Sequence, residues 1–291
     1  GTSSQVGKTM LTMSICRILA NARLRVAPFK PLVVSSDLIV MENGKVMDKA
    51  VYGLAEAARI KPSPTINPIL IRPETPYVKC DVFGRDYDVE LYLQGEYRGR
   101  TSISALHSQT GHLRGLIRES YAEAAAESDV AVIEGAGNPV EGGPLALLAN
   151  VEVAQLTNAT CILVTDSGNA GPVAAVLGTI ELLEAQHLET KGLAGVVFNK
   201  GAGPMLDASS INYLKTRNMH ILGDCTFAVP GSPEFDLVQE EAAKAMGPKR
   251  LRPDSWYDLL AKVLGGGLDL PELTRSAGWP EGLCLGSQEV C

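Results

Sequence analysis

Three continuous apolar runs, each closed by small or polar residues, do most to limit the folds open to this chain. They are DVAVIEGAG at 129–137, TCILVTDSG at 160–168 and LAGVVFNKG at 193–201. A strand buried on both faces needs an apolar side chain at every position, and a parallel sheet covered by helices is the arrangement that buries both faces. Helical patterns separate such runs, one of them around 172–187. Strand and helix alternating over most of a chain form βαβ units, so the expected class is α/β with a doubly wound, mostly parallel sheet. Ligands of such sheets gather where the strands end. The residues that close each run are therefore the first place to look for chemistry.

The same alternation extends outward. RVAPF (25–29) reads as a strand, and HILGDC (220–225) as a weaker last one. Leu11, Ile15, Ile18 and Leu19 fall on one helical face. A second helix is expected over 47–59, then INPILIRP (66–73), where the prolines restrict regular structure to a short segment. Residues 74–110 hold much of the aromatic content and read as an insertion before a helix at 113–126. From GGGLDLPELTRSAG (265–278) onward glycine and proline accumulate and periodicity fades. Residues 1–264 are thus expected to form one α/β domain and 265–291 a loosely packed tail or linker stub.

Composition narrows the function. A net charge of −7 opposes a nucleic-acid footprint, which needs a basic stripe to displace counterions. No apolar run is long enough to span a bilayer, and no secretory leader is visible, so the expected site is the cytoplasm with no membrane partner. The 6 cysteines form no CxxC pair and no histidine sits at ligand spacing, which favours plain thiols in a reducing compartment over a zinc site.

The first nine residues, GTSSQVGKT, supply the chemistry. A phosphate loop usually spells GxxxxGK[ST]; here the spacing from Gly1 to Gly7 is one residue longer, with Thr2 where that pattern wants glycine. Small residues Gly1, Thr2, Ser3, Ser4 and Gly7 let backbone N–H groups turn toward phosphate oxygens. Lys8 can neutralise the outer phosphates of ATP and the Thr9 hydroxyl can hold Mg²⁺. The following helix aims its positive end at the anion. Glu134, closing the VAVI run inside EGAG, stands where a second metal ligand is needed. A strand ahead of Gly1 would be central in the sheet. Each buried backbone group that such a strand leaves unpaired costs about 1 to 3 kcal/mol, so its restoration is expected to tighten ATP binding.

GTSSQVGKT, RVAPFKP, INPILIRP, VIEGAGNPVE, VLGTIELL and GVVFNK, in this order, resemble the ATP-binding domain of cobyric acid synthase, with dethiobiotin synthetase as a simpler relative. The resemblance covers roughly 1–230 and implies a P-loop NTPase fold of the dethiobiotin synthetase type. It implies an ATP- and Mg²⁺-dependent carbon–nitrogen ligase that phosphorylates a substrate carboxylate, after which an amine nitrogen displaces phosphate. By the same resemblance Lys8, Lys30 and Glu134 are catalytic, Thr9, Asp37 and Glu134 hold the metal, and Asn199 reads the adenine edge. The implied partners are a small carboxylate, a corrinoid in this family, a separate glutaminase or free ammonia as nitrogen source, and a second copy of the chain in a homodimer.

Departures keep alternatives open. The family couples this domain to a glutamine-hydrolysing one, but here 23 residues follow Leu268 and His107, His112, His187 and His220 all lie upstream of Cys284 and Cys291. FKPLVV and DSGNAG replace segments resembling FKxQNM and DIDRGG, both of which face the acceptor. FKP is closer to the dethiobiotin synthetase pattern, a cyclo-ligase reading. Partition-type switch ATPases resemble KGGxGK[ST], with a second lysine where this chain has Ser3. A non-catalytic nucleotide-binding homologue is the remaining alternative.

Overall fold

The structure, a computed structural model, describes residues 1–74, 86–168, 171–186, 192–201, 207–225, 233–242 and 251–279. Helix α1 (Lys8–Asn21) leaves the N-terminal loop directly and precedes β1 (Val26–Phe29), β2 (Leu32–Val34) and a hairpin of β3 (Leu38–Val40) and β4 (Val46–Asp48). Helix α2 (Lys49–Ala57) leads to β5 (Ile69–Pro73) and a hairpin of β6 (Asp88–Leu93) and β7 (Glu96–Ser102). Helices α3 (Ile103–Ser108) and α4 (Thr110–Ala125) cross to β8 (Val130–Ile133). Helix α5 (Gly143–Leu147), a π-helical turn (Leu148–Glu152) and α6 (Val153–Thr157) then reach β9 (Cys161–Asp166). The alternation continues through α7 (Pro172–Ala185), β10 (Leu193–Asn199), α8 (Ala208–Thr216) and β11 (His220–Cys225). Helices α9 (Pro233–Ala242), α10 (Asp254–Gly265) and α11 (Leu270–Ser276) close the described chain.

The ladders follow the burial of the strands. β10 lies between β9 and β11, parallel to both, and Val196, Val197 and Phe198 are all buried, as a strand covered on both faces requires. β1 pairs with β8 in parallel. β2 pairs in parallel with β5, and the β6–β7 hairpin adds to β5 antiparallel. Gln94 and Gly95, both at positive φ, form the two-residue turn whose twist suits that hairpin. The class is therefore α/β with parallel sheets. β8 and β9 do not pair with each other, and a cavity of about 770 Å³ lies between them, lined by Ala131, Val132, Ile162 and Leu163 and by Leu11 and Ile15 of α1.

Several expectations change. The helix expected over 47–59 begins at Lys49, because Val46–Asp48 pairs with Leu38–Val40 and the Asp48 carboxylate caps the helix at the Val51 N–H. The short strand Leu32–Val34 was not anticipated. Within the expected insertion at 74–110, β6 and β7 extend the β5 ladder, while 75–85 lie outside the described residues.

The tail reading of 265–291 is corrected for its first part. The Gly223–Leu268 bridge joins this segment to β11, Asp224 N–H reaches Gly267 O at 2.9 Å, and Asp269 N–H reaches Leu222 O at 2.9 Å. Leu268 and Leu273 are buried in the main core. The glycines mark close approach: a Cβ on Gly267 would sit 2.6 Å from Asp224 O. Residues 280–291, with Cys284 and Cys291, lie outside the described residues.

Candidate functional site

The loop Gly1–Thr9 lies at the C-terminal ends of the parallel strands. Thr2 is buried; its N–H bonds Val164 O at 2.9 Å and its hydroxyl meets that of Thr165 at 3.2 Å. Ser3 and Ser4 are exposed. The turn into α1 needs left-handed backbone, with φ 63° at Gln5 and 90° at Gly7. Gly7 is further constrained because a Cβ there would lie 2.1 Å from the Asn199 amide nitrogen. Lys8 curls across the loop, its Nζ donating to Ser3 O at 2.8 Å and Gly137 O at 3.0 Å. Burial pushes the Lys8 amine down to about 8; Glu134 opposes the shift and Lys30 adds to it.

Three sequence-predicted residues meet on one oxygen. Glu134 follows β8, its N–H bonding Phe29 O at 2.8 Å, which fixes it opposite the end of β1. Its Oε1 accepts from the Thr9 hydroxyl at 2.6 Å and from Lys30 Nζ at 2.9 Å. Glu134 is 3% and Lys30 8% exposed, so the ion pair is dry. Glu134 Oε2 is buried and has no partner among the described residues. A buried carboxylate oxygen without a donor is costly, and this one stands beside a hydroxyl. An all-oxygen pair of this kind fits a magnesium-type cation.

Asn199 and Asp37 lie elsewhere. Asn199, at the end of β10, is 3% exposed; its Nδ2 donates to Val6 O at 2.8 Å, and its Oδ1 is buried without a partner among the described residues. Asp37 sits between β2 and β3, where its mostly exposed carboxylate pairs with Lys49 at 2.5 Å. Among the described residues no bond links Asp37 to Thr9, Lys30 or Glu134.

The sequence reading missed the supports of the loop. Lys200 donates from Nζ to Gln5 O and pairs with Asp166 at 3.3 Å. Asn138 donates to Thr2 O at 2.8 Å, tying the EGAGN loop to the phosphate loop. Asn150, on the π-helical turn, donates to Ala136 O at 2.7 Å, and a Cβ on Gly135 would meet its Oδ1 at 2.1 Å. The only sequence signal for these was position: each asparagine or lysine follows a strand or interrupts a helix near the small-residue loops.

An N-terminal glycine-rich loop on a helix, facing a buried lysine–glutamate pair at parallel strand ends, defines a nucleotide-binding protein of the P-loop class. The chain belongs to the family of CobQ/CobB/MinD/ParA nucleotide binding domains (CbiA), which it matches over residues 1–241. It is similar to cobyric acid synthase of Clostridium botulinum, 35% identical over 70% of this chain and 38% of that protein. It is also similar to cobyric acid synthase of Lachnoclostridium phytofermentans, 32% identical over 86% of this chain and 48% of that protein. For the Limosilactobacillus reuteri protein of the same name the values are 33%, 91% and 50%. The chain spans half or less of the length of these relatives.

Proposed function

We propose that this chain is the ATP-using part of a cobyric acid synthase-like ligase, activating a substrate carboxylate as an acyl phosphate for amide formation. The observation that carries the reading is the single Glu134 oxygen shared by Thr9 and Lys30 beside the phosphate loop. A carboxylate is a poor electrophile until one oxygen becomes a good leaving group. The transfer needs positioning and charge neutralisation more than covalent help from the protein.

The geometry supports a role for each residue. Lys8, parked on Ser3 O and Gly137 O, holds its charge over the loop for the outer phosphates. Thr9 and Glu134 would hold Mg²⁺, which would supply positive charge against the charge that develops on the transferred phosphate. Lys30, buried just after β1 and paired with Glu134 at 2.9 Å, would orient the acceptor carboxylate. Asn199 Oδ1 offers an acceptor to an adenine amino group. Nitrogen would come from ammonia or a glutaminase, the acceptor being a corrinoid carboxylate by likeness to the relatives' names.

The test is phosphate release from ATP and Mg²⁺ with ammonium, with and without cobyrinic acid a,c-diamide. Release that depends on this acceptor is expected. Dependence on diaminopelargonic acid and bicarbonate instead would favour the cyclo-ligase reading, and release needing no acceptor would overturn both.

A further inference from the structure

Two side chains at the end of β10 hold consecutive carbonyls of the phosphate loop. Lys200 grips Gln5 O, and Asn199 grips Val6 O at 2.8 Å. In a planar trans peptide the C=O of one residue and the N–H of the next point in opposite directions. Fixing the Gln5 carbonyl therefore turns the Val6 N–H away from β10, and fixing the Val6 carbonyl does the same for the Gly7 N–H. Neither N–H has a hydrogen-bond partner among the described residues. Successive N–H groups turned to one side form the concavity that binds anions.

The grip is itself supported. Asp166 pairs with Lys200 at 3.3 Å and accepts from the Gly168 N–H at 2.9 Å. Lys200 N–H bonds Cys225 O at 2.8 Å, and Ser167 N–H bonds Asn199 O at 2.7 Å, so the ends of β9, β10 and β11 are locked together beneath the loop. Lys200 has φ 66°, left-handed backbone that this lysine adopts while reaching Gln5.

We infer that Asn199 and Lys200 are positioning residues for the phosphates, aiming the Val6 and Gly7 N–H groups by gripping the carbonyls before them, apart from any contact with a base. The inference rests on the proposed reading that the loop binds nucleotide phosphates. It separates from that reading because a ligand with no base can test it.

The experiment is calorimetry of Mg²⁺-tripolyphosphate and of Mg²⁺-ATP on the unaltered chain and on Asn199→Ala, Lys200→Met and Lys200→Arg. Asn199→Ala and Lys200→Met should each weaken tripolyphosphate about tenfold, the order of one lost buried or charge-assisted hydrogen bond, and weaken ATP at least as much. Lys200→Arg should retain most of the affinity. Asn199 carries no charge, so a loss there cannot be simple Coulomb attraction. Loss of ATP binding with tripolyphosphate unchanged would overturn the inference and leave Asn199 as a base contact only. Failure of the unaltered chain to bind either ligand would overturn the phosphate-loop reading as well. Lys200 is partly exposed, so Lys200→Met tests the point even if Asn199→Ala does not fold.

Discussion

At the scale of single residues, the buried Lys30–Glu134 pair ties stability to the presence of both partners. Both groups are almost dry, and removal of one partner from such a pair costs about 3 to 5 kcal/mol because a charge is left buried alone. Lys30→Met should therefore lower the denaturant midpoint strongly, and Glu134→Gln likewise. The double variant should recover much of the stability but none of the ATP turnover, which is expected to fall about 100-fold or more in each variant. Additive stability losses in the double-mutant cycle would refute direct pairing. A second carboxylate gives a pH signature: hydrogen bonds from Arg25 hold Asp129 down at about 2, against an ordinary 3.8. A depressed carboxylate stabilises the fold above its unfolded value and loses that contribution as pH falls through the folded one. NMR titration should show Asp129 ionising near 2, moving upward toward 3.8 in Arg25→Met. Lys30, Glu134 and the loop were legible because they end apolar runs or belong to a local motif. Asn138, Asn150 and Lys200 were not, because their partners are backbone carbonyls distant in sequence.

At the scale of elements, strands buried on both faces could be read directly, whereas segments defined by what they pack against could not. The three continuous runs emerge as β8, β9 and β10 within a few residues of expectation. The glycine-rich stretch at 265 looked like a linker because glycine permits both mobility and close approach, and only the partner strand β11 tells them apart. Helix α10 adds an anchor: Arg17 of α1, fully buried, bonds Asp254 at 2.7 Å and lies 5.1 Å from the Tyr257 ring centroid. Tyr257 in turn donates to Glu56 at 2.6 Å. Deleting 266–291 removes buried Leu268 and Leu273, each worth about 1.5 to 3 kcal/mol, from a margin of about 5 to 15. The shortened chain should unfold several degrees lower in calorimetry. Removing 280–291 alone is the control; an equal effect from both deletions would restore the tail reading.

At the scale of the whole molecule, the sheet is interrupted where the phosphate loop is anchored. Among the described residues β8 pairs only with β1 and β9 only with β10, so each presents an edge without a partner to the cavity between them. The strand walls at Ala131, Val132, Ile162 and Leu163 are apolar, and the Thr2 N–H already bonds Val164 O as a strand aligned with β9 would. A parallel strand inserted there would pair with both neighbours, cover Leu11 and Ile15 of α1, and fix the entry to the loop from behind. An extension of about five or six apolar residues ahead of Gly1, the usual strand length, is therefore expected to raise the melting temperature and tighten ATP binding. A glycine–serine extension of equal length should do neither, since it supplies backbone without the apolar side chains that drive entry. Hydrogen exchange supplies the local readout. The amides of Ala131, Val132, Ile162 and Leu163 should slow with the apolar extension and not with the control. Equal exchange in the two extended chains would mean that the cavity does not accept a strand.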